Sequence, residues 1–298
     1  MNAAWMMVLA SLLFATMSVC VKLASQWYGA GEVVFYRGLA GAIAIVLLQR
    51  LRGGTLRTPV PGMHAGRSAA GVVAMCLWFT ALGGLPLATA TTLNYMSSVW
   101  MALFLVGGAV MMGARRVEGT LVAAVLLGFA GVALVLRPSL DGTQVWPALA
   151  GLLSGVLAAL AYLQITALGR AGEPEDRIVF YFSLGSMLIG GALMLWQGTG
   201  RHTPQGVALL VAIGVLAVVA QMLMTRAYTV GSTLANAVLQ YLGILFAFVY
   251  GVLLFGEAIT WPALAGVVLI VVAGLMTSVA RSHSPEPPDT RGRHPGDA

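Results

Sequence analysis

The 298-residue chain is 59% hydrophobic and only 9% charged, with a mean hydropathy of +0.90. A soluble domain carries about 25% charged residues, so this chain cannot cover a water-facing surface and reads as an integral membrane protein. Its net charge of +6 does not point to nucleic acid, because the basic residues are scattered at the ends of apolar segments instead of forming a stripe.

About 20 apolar residues are needed for a helix to cross the bilayer core. The chain offers ten such spans, at about 4–23, 33–51, 67–84, 88–112, 118–136, 146–168, 177–196, 205–228, 233–255 and 260–280. The first starts almost at Met1 with no Lys or Arg ahead of it. A cleavable signal normally has that positive start, so a retained helix is expected. It closes on Lys22, whose ammonium either snorkels to the headgroups or attracts anions at a cavity mouth. The second span carries Arg37 five residues after Glu32, about 7–8 Å of helical rise from the membrane edge. The stretch 53–62 is a turn-rich loop, which puts His64 in a loop and leaves Arg67 as a topology signal at the inner face. Cys20 and Cys76 lie in apolar runs and give neither a disulfide framework nor metal-ligand spacing. Trp5, Trp146 and Trp261 fall near span ends as interfacial anchors. Beyond 280 the proline-rich, charged segment 281–298 has nothing to bury and reads as a disordered tail.

Placing the N-terminus inside puts twelve Lys and Arg on the inner side and four (Lys22, Arg37, Arg137, Arg201) on the outer. That positive-inside bias predicts two cytoplasmic termini in a bacterial inner membrane. The chain also repeats itself. LASLL at 9–13 returns as LAGLL at 149–153, VFY at 34–36 returns at 179–181, and VVA at 72–74 returns at 218–220. Leu93-Asn94-Tyr95 is matched by Leu239-Gln240-Tyr241, and AGVAL at 130–134 by AGLMT at 273–277. Five spans per half is an odd number, so the second copy must enter the membrane from the opposite face. The expected fold is an all-α membrane protein with ten transmembrane helices in a 5+5 inverted-topology repeat. Its halves are 1–142 and 143–280. Transporters built this way hold substrate near the midplane between the repeats.

With Lys22 closing the first span and FYRG opening the second, this array resembles the EamA-type members of the drug/metabolite transporter superfamily. Residues Ala81–Ala90 (ALGGLPLATA) match the family's turn between its third and fourth helices, and Phe255-Gly256-Glu257 matches its Leu-Gly-Glu closing the ninth. The resemblance covers residues 1–280. Two departures stand out. Ser98 and Ile244 occupy positions where the family often has proline, which leaves a helix break there unsupported. The first half also offers Met111 and Ala114 where a partner for Glu257 would be. The resemblance implies secondary transport of a small organic metabolite, an amino acid or related compound or an amphipathic drug, with export as the default direction. Uptake of a nucleoside-like or vitamin-like metabolite is the alternative.

Polar residues inside spans are the candidate substrate contacts. Thr91, Asn94, Tyr95 and Ser98 share one face of the fourth span by helical spacing. Asn236 and Gln240 do so in the ninth, with Tyr241 beside them as the counterpart of Tyr95. Trp78, Tyr162 and Gln221 come from the third, sixth and eighth spans. Each could instead be helix–helix glue worth about 0.6 kcal/mol. Arg37 has Phe182 as its counterpart in the second copy, and it either lines the outer mouth of a cavity or snorkels outward. Glu32 and Glu257 read as solvated boundary carboxylates. No nucleophile set, metal cluster or phosphate loop emerges, so a membrane enzyme acting on lipid-linked substrate is disfavoured and no cofactor is expected. The expected partners are a small-molecule substrate and the lipid bilayer; oligomeric state is not written in the sequence.

Overall fold

A computed structural model describes residues 2–111, 144–231, 236, 239–258 and 260–282, with positions 123, 126–128, 130, 131 and 134 between. The described elements are all helical: α1 (Ala3–Ala24), α2 (Ala30–Arg52), α3 (Pro61–Gly84), α4 (Leu87–Tyr95) and α5 (Ser97–Met111), then α6 (Val145–Arg170), α7 (Glu175–Gln197), α8 (Pro204–Val230), α9 (Leu242–Phe255) and α10 (Trp261–Ser282). Six of them, α1, α2, α3, α6, α7 and α8, are long and apolar enough to cross a membrane alone. The predicted fifth span lies outside the described residues apart from isolated positions, as does the tail beyond Ser282.

Local chemistry sets the helix ends. Asn2 Oδ1 accepts the Ala4 N–H at 2.9 Å to start α1, and Thr203 Oγ1 accepts the Gly206 N–H at 3.1 Å to start α8. Gly53 ends α2 in the left-handed region, φ +66°, where a side chain would be strained. Pro61 occupies the first turn of α3, where its missing N–H costs nothing. The third helix therefore starts six residues before the predicted span, so His64 belongs to the helix and not to a loop, and Arg67 lies in its second turn.

The fourth span is broken. α4 ends at Tyr95 and α5 starts at Ser97, and across the intervening Met96 the Val99 N–H bonds the Met96 carbonyl only three residues back, at 2.9 Å. A second turn stands at Tyr241, where the Ile244 N–H bonds the Tyr241 carbonyl at 3.0 Å. Both breaks form without the proline that the sequence lacks. Thr91, Asn94 and Tyr95 stay together on α4, while Ser98 lies past Met96 on α5.

In lipid, helices associate through close backbone approach more than through apolar burial. The closest pairings are α2 with α7, α1 with α8, and α3 with α6. α2 turns Arg37, Gly41, Ile45 and Gln49 inward at four-residue spacing and leaves Ile43, Leu47 and Leu51 exposed. At the α2–α7 crossing, a Cβ on Gly38 would lie 2.5 Å from the Met187 nitrogen and 2.7 Å from the Ser183 carbonyl oxygen. A Cβ on Gly41 would meet Ser183 Oγ, and one on Gly190 would lie 2.6 Å from the Phe35 nitrogen. Backbone atoms cannot move aside as a side-chain tip can. Gly38→Ala and Gly190→Ala should each cost about 1–3 kcal/mol and lower the thermal midpoint in detergent. Gly62→Ala, whose Cβ would meet nothing within 4 Å, should not. Equal midpoints for all three would contradict this packing.

Candidate functional site

Where these helices converge, the chain leaves a narrow cavity with walls from α1, α2, α3, α4, α6, α7 and α8 and from Gln240. Of the sequence-predicted residues, Arg37, Trp78, Asn94, Tyr95, Tyr162, Gln221 and Gln240 line it. Thr91, Ser98, Asn236 and Tyr241 are buried but are not among its walls. Asn236 instead donates to the Ala227 carbonyl near the end of α8. The sequence reading missed Arg67, Phe182, Phe14, Met17 and Met224, all of which line the cavity.

Aromatic and amide groups are fixed by their neighbours. Asn94 Nδ2 donates to Ser154 Oγ at 3.1 Å, and Ser154 donates to the Gly151 carbonyl at 2.6 Å. Tyr162 stacks on Tyr228 with ring centroids 5.6 Å apart, and Tyr228 donates to Gln240 Oε1 at 3.2 Å. Gly243 lets Tyr95 lie against α9, since a Cβ there would sit 2.6 Å from the Tyr95 hydroxyl oxygen.

Charge sets the cavity apart. Arg37 and Arg67 are 5% and 3% exposed, which excludes snorkelling for Arg37 and a face-marking role for Arg67. Both guanidiniums lie against Phe182, at 5.2 Å and 4.1 Å from its ring centre. Arg37 Nη2 donates to Gln221 Oε1 at 3.2 Å, and Gln221 Nε2 donates to Thr225 Oγ1 at 3.4 Å. Among the described residues neither arginine forms an ion pair. Inserting one arginine at a helix centre costs about 2.5–3.5 kcal/mol. A desolvated cation–π contact returns about 2 kcal/mol, less than that cost. Both residues are thus held at a cost to the fold.

The remaining ionisable groups form two clasps on opposite faces. At the face of the α1–α2 turn, Lys22 Nζ lies 3.4 Å from Glu257 Oε1 and donates to the Leu85 carbonyl. Both Glu257 oxygens accept the Leu87 N–H, at 2.8 and 3.0 Å, at the first residue of α4. Beside them Glu32, 1% exposed, accepts the Gly200 N–H at 2.8 Å and lies 3.3 Å from His202 Nε2. At the face of the α2–α3 loop, His64 Nε2 lies 2.9 Å from Glu173 Oε2 with both side chains buried, and Arg177 Nη1 donates to Glu173 Oε1 at 3.0 Å. Gln49 donates to Asp176, and the Tyr181 hydroxyl to the Leu56 carbonyl at 3.0 Å. Lys22, Glu32 and Glu257 are therefore not solvated boundary groups, and His64 is not a loop residue. Distance from a span end, which is all a sequence gives, does not say which neighbour a side chain meets.

The EamA-like transporter family profile matches residues 145–279. A pseudopaline exporter of Pseudomonas aeruginosa is 34% identical over 271 residues, covering 91% of this chain and 94% of that protein. The chain belongs to the EamA-like transporter family. A riboflavin transporter of Rhizobium johnstonii is 28% identical over 281 residues, 92% of this chain and 89% of that protein. One crystal structure superposes with a TM-score of 0.68 over 95% of this chain and 99% of that one, at 17% identity, a likeness of fold. As an EamA-like member the chain is a multi-pass membrane transporter of small molecules and not an enzyme.

The loop carboxylate Glu173 gives this geometry a pH signature. Burial disfavours its ionised form, but hydrogen bonds from His64 and Arg177 outweigh burial and hold the carboxyl below its ordinary range. A carboxyl depressed in the folded state adds stability that is complete above its unfolded value of about 4.3 and lost as pH falls through the folded value. Glu173→Gln should lower the thermal midpoint at about pH 6–7, and the gap to wild type should close below about pH 4. A gap unchanged at low pH would contradict this.

Proposed function

We propose that this chain is a secondary transporter that moves a small organic metabolite, an amino acid or related compound, out of the cell by alternating access. The observation that carries the reading is the central cavity, whose walls come from both halves of the chain and include seven residues expected to contact substrate.

The packing supports a 5+5 inverted repeat with halves 1–142 and 143–280. A two-fold axis that exchanges the halves turns the α1–α8 pair into α6–α3, and both pairings are extensive. It turns α2–α8 into α7–α3, and α5–α6 into α9–α1, and these also occur as couples. The register that aligns VFY at 34–36 with VFY at 179–181 makes Gly38 the counterpart of Ser183 and Gly41 that of Ser186. Gly38 packs on Ser186 and Gly41 on Ser183, the reciprocal contacts that such an axis demands. The breaks after Tyr95 and at Tyr241 fall at matched positions, and paired discontinuities of this kind accompany binding sites in inverted-repeat transporters.

Alternating access follows from the clasps. Each joins a residue of the first half to one of the second, and they lie on opposite faces of the cavity. Rocking one half against the other opens one clasp while keeping its opposite closed. The excess of basic residues on one side supports an inner membrane with both termini cytoplasmic. Export is supported by the likeness to the pseudopaline exporter; the second reading, a vitamin-like cargo, is favoured by the likeness to the riboflavin transporter.

Proteoliposomes loaded with a metabolite extract, with released compounds read by mass spectrometry, test the cavity. Asn94→Ala and Tyr95→Ala should reduce release of the transported compound by about tenfold, the worth of one good cavity contact, at unchanged membrane yield. Wild-type release from both variants would overturn the assignment.

A further inference from the structure

We infer that the cavity is built for an organic dianion, a compound whose carboxylate or phosphate oxygens pair with Arg37 and Arg67 while its apolar body lies among Phe182, Trp78 and Tyr95. The inference rests on the cavity being the transport site and names the class of its cargo.

The unpartnered polar atoms of the cavity wall carry it. Four buried atoms there have no hydrogen-bond partner within the protein: Arg37 Nε, Arg67 Nε, Arg67 Nη1 and Trp78 Nε1. All four are donors. Among the described residues no carboxylate or histidine lines the cavity, and two of its three amide acceptors are in use: Gln221 Oε1 serves Arg37 and Gln240 Oε1 serves Tyr228, which leaves Asn94 Oδ1. A wall with two full positive charges and an excess of donors is complementary to an acceptor-rich anion. A structural arginine such as Arg177 spends both terminal nitrogens on protein acceptors, Glu173 and the Thr55 carbonyl, and leaves only its Nε without a partner, whereas Arg67 leaves Nε and Nη1. Both guanidiniums touch one phenylalanine ring, which places them within reach of a single small molecule.

Gly71 is the positioning residue. It stands one helical turn after Arg67, and a Cβ there would meet the Arg67 Nη1 atom and lie 3.0 Å from Phe182 Cε2. The missing side chain lets Arg67 fold along α3 onto the ring. Gly71→Ala would push away the end of a flexible side chain and shift the edge of the Phe182 ring slightly, with no backbone atom in the way, so the helix survives and the guanidinium is displaced.

The probes are isophthalate and phenyl phosphate, with the neutral isophthalamide as control, added to purified protein in a non-ionic detergent while thermal unfolding is followed. A ligand of the folded state raises the midpoint in a saturable way. At least one dianion should do so and isophthalamide should not; which dianion does so separates a carboxylate from a phosphate site. Arg67→Gln and Arg37→Gln should weaken binding at least about tenfold. Gly71→Ala should weaken it too while leaving the ligand-free midpoint near wild type, a combination that general loss of structure would not give. No shift from either dianion, an equal shift from isophthalamide, or unchanged binding by all three variants would overturn the inference. Dianion binding without dianion flux in proteoliposomes would remove the transport reading and leave the site. Flux of a neutral metabolite untouched by Arg67→Gln would do the reverse.

Discussion

A positive charge inside a bilayer must be neutralised either by the protein or by what the protein carries. In this chain the carboxylates are spent at the two faces, where Glu32, Glu257 and Glu173 each hold a cation, a histidine or backbone N–H groups. The centre receives two arginines and a phenylalanine. That separation, paired charge at the ends and unpaired charge between, is the constraint around which the helices are arranged.

Close helix approach makes it possible. Arg37 and Phe182 occupy matched places in the two halves and meet because Gly38, Gly41 and Gly190 bring α2 and α7 together. Arg67 reaches the same ring from α3 because position 71 has no side chain. The scaffold repeats while the charge does not: the counterpart of Arg37 is the ring on which it rests. In the proposed cycle the clasps resist opening and the cavity is stabilised by cargo, so a bound anion and a change of access are linked through the same helices.

Much of this was legible in the sequence. Apolar run lengths located the six long spans to within a few residues except at α3, and the VFY repeat pointed to α2 and α7 as equivalent elements. Seven cavity residues were recognisable because amides, aromatics and an arginine inside apolar spans have few reasons to be there. The failures have definite causes. Pro61-Gly62 reads as a turn, although a proline is equally at home in the first turn of a helix, and that puts His64 in a loop and Arg67 at the very start of the span. The break at Met96, which puts Ser98 on a separate helix from Asn94 and Tyr95, has no proline to announce it. Phe182 looked like one more apolar residue, since a cation–π partner is identified only by what packs on it.

A structure determined with isophthalate bound addresses the central claim most directly. The account predicts the probe between the Arg37 and Arg67 guanidiniums with its ring beside Phe182. A probe bound elsewhere, or arginines neutralised by a carboxylate of the protein itself, would contradict it.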